Sequence, residues 1–476
     1  MRARLLTDEN RKWWTLGSVA FGLFMIMLDN TIVNVALPSI QRDLGIGISE
    51  LEWVVNGYAL TFAVLMLTGG KLADLLGRRL IFVVGLAIFT LASLGCGLAP
   101  TAGILIGARV VQGMGSALMN PSTLSIITAT FPPRQRGMAI GIWAGVSAMA
   151  LAIGPLVGGV ITEQLHWSWI FFINVPVGIL GIAVARLVIA ESRDTSHEQR
   201  LDLPGLLTSG VGLFALTYAL IEANTYGWTS ARILGLFAAA VVALALFVLV
   251  ELRQRIPMLD LSLFRSGTFA GANATMMLVA LAMFGVFFFV SLYMQNILGY
   301  SATQAGATFL PMTTLIILIA PLAGRVSDRI GSRWLMGGGM TLVGTSLVLF
   351  SRLDGDSNFW NILPGLIVGG FGMALTMTPT TAAAMGSVAV DKAGAGSAVL
   401  NSMRQVGGSL GIAVMGAIVA SYVNSPVGSP RAAGEFVDGL QHALIVAAAI
   451  AFAAAALAIV TVRRVRHAEA AMEMAA

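Results

Sequence analysis

The chain has 476 residues, 57% of them hydrophobic and only 11% charged, with a formal net charge of +5 at pH 7. A soluble domain carries about 25% charged residues, so this composition excludes one and points to an all-helical protein embedded in lipid. A single cysteine (Cys96) excludes an internal disulfide framework, and the scattered His166, His197, His442 and His467 offer no metal-ligand spacing.

The first apolar run, 13–38, exceeds the about 20 residues needed to cross a bilayer and is too long for a signal-peptide core, so a retained helix is expected. Inside it stands a lone acid, Asp29. An ionised carboxylate near mid-membrane costs about 2.5–3.5 kcal/mol on insertion scales, so it needs a partner or a task. Two readings fit: a protonated helix–helix contact, or a station on a proton or ion path. Further runs of helical length lie near 52–70, 80–98, 101–127, 138–162 and 168–190. A polar stretch from Glu191 to Asp202 follows, then runs near 204–223 and 231–251 and an amphipathic linker, Leu252 to Ser266. The last six lie near 268–298, 303–323, 335–351, 359–384, 396–423 and 440–462, making fourteen predicted spans.

Charge placement supports that count. With the N-terminus inside, the 28 basic residues fall in inner segments except Arg42, Arg232, Arg352 and Arg431 in outer loops and Arg109, Arg186 and Arg404 within runs. This follows the positive-inside rule and predicts two cytoplasmic termini. Because the cations sit in short loops between apolar runs, they indicate topology and not a nucleic-acid surface.

Two inner loops repeat one pattern. Gly70-Lys71-Leu72-Ala73-Asp74-Leu75-Leu76-Gly77-Arg78-Arg79 aligns with Gly324-Arg325-Val326-Ser327-Asp328-Arg329-Ile330-Gly331-Ser332-Arg333, each after the second helix of its half. Glycine permits a tight turn there, and aspartate and arginine can cap and pair at the inner surface. Parallel six-helix repeats around a central pathway are a transporter architecture. The expected organisation is a six-helix bundle over 13–190, a linker with two inserted helices over 191–266, a second bundle over 267–463 and a tail over 464–476.

At these loops the chain resembles the major facilitator superfamily, and within it the fourteen-helix drug:proton antiporters. Leu28-Asp29-Asn30-Thr31-Ile32-Val33-Asn34-Val35-Ala36-Leu37-Pro38 is similar to that group's first-helix motif, and Arg109 through Gln112, Gly113 and Gly115 to its fourth-helix motif. Gly154-Pro155 with Gly158-Gly159 resembles the fifth-helix motif that the family associates with antiport. The segment from Trp167 and Trp169 to Asn174 and Pro176 resembles the sixth-helix entry, and Asn401 through Arg404, Gly407, Gly408 and Gly411 a thirteenth-helix segment. The resemblance implies two six-helix bundles plus two extra helices, working by alternating access in a bacterial inner membrane. Its expected partners are protons, lipid and a lipophilic small molecule, with no cofactor and no nucleic acid, and the chain is expected to act as a monomer. Ser332 stands where the first loop has Arg78, so the second loop matches only in part.

Asp29 lies about 14 Å from the outer end of its helix and Arg109 about 12 Å from the same face, so the two are predicted to couple, directly or through Gln112 or water. Burial favours the neutral acid and a nearby arginine the ionised one. A distance that changed with conformation would give proton affinities that differ between the two faces; a fixed distance would make a permanent pin between helices one and four. Gly70, Asp74, Gly77, Arg78, Arg79 and Asp328 are the expected inner gate contacts. Gly154, Pro155, Gly158 and Gly159 are either close helix packing or, as the resemblance implies, a pivot and proton seal. Met25, Met114, Met149, Met283 and Met377 with Trp143, Phe284 and Phe288 can line an adaptable cavity, with Asn34, Asn56, Gln112 and Gln295 for hydrogen bonds and Arg404 to attract an anion. Asp29 is read as the only acid deep in either bundle, which favours monovalent cations, neutral molecules or zwitterions over multivalent cations. The main expectation is a proton-coupled drug exporter; a dedicated exporter of one metabolite, lipid or self-made antibiotic and a non-transporting scaffold are the alternatives. No nucleophile–base set, metal cluster or nucleotide motif suggests an enzyme or an ATP-driven pump.

Overall fold

The computed structural model describes residues 8–193, 201–255, 257–388, 393–423, 425 and 429–463. Among the described residues the chain is helical throughout, with no strand. The helices are α1 Asp8–Leu44, α2 Ile48–Leu76, α3 Arg78–Gly97, α4 Ala102–Thr130, α5 Pro133–Gln164, α6 Trp169–Phe172, α7 Asn174–Val188, α8 Leu203–Tyr226 and α9 Ala231–Arg253. After a 3-10 turn at Leu261–Arg265 come α10 Gly267–Asn296, α11 Ala302–Thr308, α12 Leu310–Ile330, α13 Ser332–Phe350, α14 Phe359–Gly386, α15 Ala393–Tyr422 and α16 Pro430–Thr461.

Among the described residues, twelve helical segments are long and apolar enough to cross a membrane. The segments at the fifth and eleventh predicted runs are also helical, as α5 and α13, and four glycines (Gly337, Gly338, Gly339 and Gly344) dilute the apolar character of α13. Apolar side chains cover the outside: Leu91 and Val241 are each 69% exposed and Ile179 is 62% exposed. In water such a surface would be costly; against lipid tails it is the favourable arrangement.

Two predicted runs are broken. The sixth divides into α6 and α7, and the tenth into α11 and α12. Each break precedes a proline, Pro176 or Pro311, whose ring lacks an N–H and collides with the carbonyl four residues back. In contrast, Pro38 is accommodated inside α1, which runs on to Leu44.

Contacts divide the chain into two units. The first comprises the residues up to Met258 together with Phe287–Leu310, and the second comprises Leu259–Val286 and the residues from Pro311 onward. In the first unit α2 and α3 pack on α4, and α1 packs on α5. A Cβ on Gly85 would sit 2.8 Å from the Gly115 carbonyl, so α3 and α4 touch backbone to backbone. The second unit repeats this seam between α13 and α14, where a Cβ on Gly339 would sit 2.9 Å from the Gly372 carbonyl. The offset that relates the two inner loops also carries Gly85 onto Gly339, so the internal repeat extends to helix packing. The inserted α8 and α9 pack on each other and, through α8, on α2. There Trp53 meets Phe214 and Tyr218 at 5.6 and 5.8 Å between ring centroids.

Candidate functional site

The first unit holds a buried charge network. Asp29 and Arg109 are each 1% exposed, and Arg109 Nη1 donates to Asp29 Oδ2 at 2.5 Å. Gln112, one turn along α4, donates from Nε2 to Asp29 Oδ1 at 2.9 Å and to Ser93 Oγ at 2.8 Å. Its Oε1 accepts from Arg109 Nη1 at 2.7 Å and from the Cys96 thiol at 3.7 Å. Arg109 Nε donates to the Val54 carbonyl of α2 at 3.0 Å. The Tyr58 ring lies 4.2 Å from the guanidinium carbon, and Phe171 of α6 lies 5.8 Å from it. Asn174 of α7 closes the network by donating to Ser93 Oγ at 3.4 Å.

The coupling predicted between Asp29 and Arg109 is therefore a direct ion pair that Gln112 braces from the side. Removing two charges from solvent is costly, and it is compensated here because each carboxylate oxygen has a donor and the guanidinium has acceptors and an aromatic face. One proton on Asp29 would cancel the pair's attraction and free Arg109 from its strongest acceptor. Nothing in the apolar runs that hold Tyr58, Ser93 and Phe171 marked them out from their neighbours. Cys96 was legible only as a lone thiol.

The first inner loop is tied by charge. Arg78 donates from Nε and Nη2 to Asp74 Oδ1 at 3.0 and 2.9 Å. Gly77 holds φ at +123°, a conformation that favours glycine, and a Cβ there would also collide with the Glu191 carboxylate. Glu191 accepts from the Arg79 and Leu80 backbone N–H groups at 3.0 and 3.2 Å, capping the start of α3. Sequence reasoning missed that cap, since Glu191 lies far along the chain in a polar stretch. Gly70 faces Pro121 of α4, and Lys71 Nζ donates to the Pro257 carbonyl at 3.0 Å. In the second loop Gly331 likewise has a positive φ, +91°, and Ser327 and Ser332 exchange a hydroxyl hydrogen bond at 2.8 Å. Asp328 lies on α12, and its side chain is outside the described residues.

The glycine segment of α5 touches two neighbours. A Cβ on Gly154 would overlap Thr31 of α1, two residues beyond Asp29, and one on Gly158 would sit 2.8 Å from the Ile32 carbonyl. Gly159 abuts the backbone of Ala302 and Thr303, while Gly306 of α11 abuts the Pro155 carbonyl. One turn further, Glu163 accepts from Ser301 Oγ at 2.7 Å and from Thr303 N at 3.0 Å. Gly306, Ser301 and Glu163 join this seam without having been singled out in the sequence.

The residues expected to line a cavity have different surroundings, each described within its own unit. Met25 is buried at 1% exposure, whereas Met114 and Met149 are 39% and 47% exposed, Met149 in a pocket with Trp13, Phe21 and Phe24. Gln112 belongs to the charge network, Gln295 donates to the Val35 carbonyl at 2.9 Å, and Trp143 donates to Thr123 Oγ1 at 2.9 Å. Phe288 is fully buried against Phe289, and Phe284 packs over Gly408 in the second unit. Asn34 Oδ1 and both amide atoms of Asn56 are buried without hydrogen-bond partners, as is Arg404 Nε. Asp29 is also not the only buried acid. Glu52, one turn into α2, is 2% exposed, and its Oε2 has no partner. The predicted run began at residue 52, but the helix starts at Ile48, which carries Glu52 inside.

Fold and site define a polytopic helical membrane protein built around a buried ion pair. Residues 19–412 and 272–473 match the Major Facilitator Superfamily, and the chain belongs to that family. It is 37% identical over 449 residues to the tetracenomycin C resistance and export protein of Streptomyces glaucescens, covering 91% of this chain and 82% of that one. It is 38% identical over 463 residues to the puromycin resistance protein pur8 of Streptomyces alboniger, covering 95% and 91%. It is also 38% identical over 414 residues to the multidrug resistance protein Stp of Mycobacterium tuberculosis, covering 86% and 76%. A crystal structure of a bacterial homolog of the human lysosomal transporter Spinster, in an inward-facing and unoccupied conformation, superposes with a TM-score of 0.68 at 17% identity. That match covers 95% of this chain and 97% of the other.

Proposed function

We propose that this protein is a proton-coupled antiporter that exports lipophilic small molecules by alternating access, and not an enzyme. The observation that carries the reading is the buried Asp29–Arg109–Gln112 network, because one titratable carboxylate there holds a cation within a network that links four helices. Protonation of Asp29 releases Arg109, and deprotonation draws it back, so proton occupancy biases the packing of α1 against α4. Thr31 passes that bias to the α5 glycine segment, which serves as pivot and seal. The Asp74–Arg78 pair and Asp328 are the proposed inner gate contacts. The drug-resistance and export titles of the relatives support the substrate class.

In this reading the chain crosses a bacterial inner membrane fourteen times with both termini cytoplasmic, α5 and α13 included, and works as a monomer. The bundles correspond to 13–190 and 267–463, with α8 and α9 as an insertion. A second reading, a dedicated exporter of one antibiotic or metabolite, is favoured by relatives whose titles name single compounds.

The test is ethidium flux in liposomes under an imposed pH gradient, wild type beside Asp29→Asn. Gradient-driven flux in the wild type, reduced about tenfold or more in the variant, is the expected result. A variant that couples fully would place the proton carrier elsewhere. Wild type that moves no dye under any gradient would remove the multidrug reading in favour of a dedicated exporter.

A further inference from the structure

The second unit holds a cation that its own described side chains do not neutralise. Arg404 lies eleven residues into α15, about 16 Å along the helix from its start. Its Nε is buried without a hydrogen-bond partner, and no described carboxylate forms an ion pair with it. An unpaired charge at that depth is expensive, which makes it a functional-site candidate by default.

Helix packing identifies what Arg404 faces. A Cβ on Gly407 would strike the backbone of Met277, and one on Gly411 the backbone of Leu281, so α15 and α10 run parallel in close contact. Arg404, Gly407, Gly408 and Gly411 follow helical spacing along one face of α15. The same register carried one turn down places Arg404 level with Asn273 and Ala274 of α10. Asn273 donates from Nδ2 to the Phe269 carbonyl at 2.9 Å, but its Oδ1 is buried with no donor. The neighbouring Gln405 Nε2 is also buried without an acceptor. An unsatisfied guanidinium Nε and an unsatisfied amide Nε2 thus belong to consecutive residues of α15, and no described carboxylate pairs with the guanidinium. Phe284, over Gly408, supplies an apolar wall further along the same seam.

We propose that Arg404, with Gln405, is the anion-recognition point of an internal substrate site, and that it adds lipophilic organic anions, carboxylates above all, to the molecules the protein takes. A planar guanidinium matches the two oxygens of a carboxylate, and Gln405 Nε2 supplies a further donor. Asn273 Oδ1 takes a hydroxyl or N–H beside the acid group. The apolar wall selects an aromatic or alkyl body over a small inorganic ion. This refines the substrate class of the proposed exporter and rests on that reading for its biological meaning; the binding itself needs no proton gradient.

The test is equilibrium binding to the purified full-length protein in nanodiscs at pH 7, with anthracene-9-carboxylate and the uncharged anthracene-9-carboxamide as probes. Wild type is expected to bind the carboxylate about tenfold more tightly than the carboxamide. Arg404→Gln should bring that ratio to within about twofold, and Arg404→Lys, which keeps the charge and loses the fork, should retain part of it. Inorganic phosphate should not displace the carboxylate. Equal binding of both probes by wild type, or an unchanged ratio in Arg404→Gln, overturns the proposal. If Arg404→Gln does not fold, Arg404→Lys decides, since an unchanged ratio there is equally fatal. Because no gradient is applied, a failure of proton coupling in the flux assay leaves this result standing, and a failure here leaves proton coupling untouched.

Discussion

Arg109 and Arg404 are both arginines inside apolar helices, yet their surroundings are opposites. Arg109 has a carboxylate, an amide, a backbone carbonyl and two aromatic rings around it, and it is 1% exposed. Arg404 is half-buried, with an open Nε and a second open donor next to it on Gln405. The first arrangement is complete without a ligand and, in the proposed mechanism, responds to a proton; the second, in the proposed site, is complete only when something negative arrives. A buried charge is thus informative less for its presence than for what its neighbours leave unfilled.

The sharpest way to break this comparison is to remove each cation in turn. Arg109→Gln strands Asp29 and should destabilise the protein by about 3–5 kcal/mol, whereas Arg404→Gln orphans no charge and should cost less than about 1 kcal/mol. Denaturation midpoints in matched micelles would measure both, and equal losses would end the distinction. Next in size is Gly154→Val, which forces a side chain into Thr31 beside the network and should cost about 1–3 kcal/mol through overpacking. Proton-coupled flux should fall further than the melting temperature suggests, and a variant that melts early but transports normally would reduce the α5 seam to packing. The smallest effect is expected at the inner loop. Arg78→Ser gives the first loop the residue that the second has at Ser332, and this half-exposed pair contributes about 0.2–1 kcal/mol. A stability change beyond that range would show that the loop's charges matter more than its turn geometry.

Much of this was legible in the sequence, for identifiable reasons. Lipid makes composition decisive, so the apolar runs appear as helices at every predicted place. The carboxylate and guanidinium could be matched because helix rise converts residue number to depth, and both lay at one level. The two breaks were not foreseen, although Pro176 and Pro311 were visible, because a proline inside a helix bends or breaks it depending on neighbours, and Pro38 leaves α1 unbroken. Glu191 and Glu52 were missed for related reasons: the partner of the first is distant in sequence, and the second sat on a run boundary that the helix overran. Cavity residues were the least legible, since a methionine or phenylalanine faces lipid, core or pathway with the same composition. Met114 and Met149 are exposed where Met25 is buried, and nothing at their positions in the sequence distinguishes the three.

The burial of the Asp29–Arg109 pair also sets its response to ionic strength. Raising salt from 0.1 to 1 M shortens the screening length from about 10 to about 3 Å, but mobile ions screen only where they can enter. Asp74 and Arg78, with side chains 27% and 18% exposed, lie within reach of the electrolyte, and Asp29 and Arg109 do not. Concentrated salt therefore loosens the inner-loop pair while leaving the central one intact, so a change of solvent alone separates the two ion pairs without a substitution.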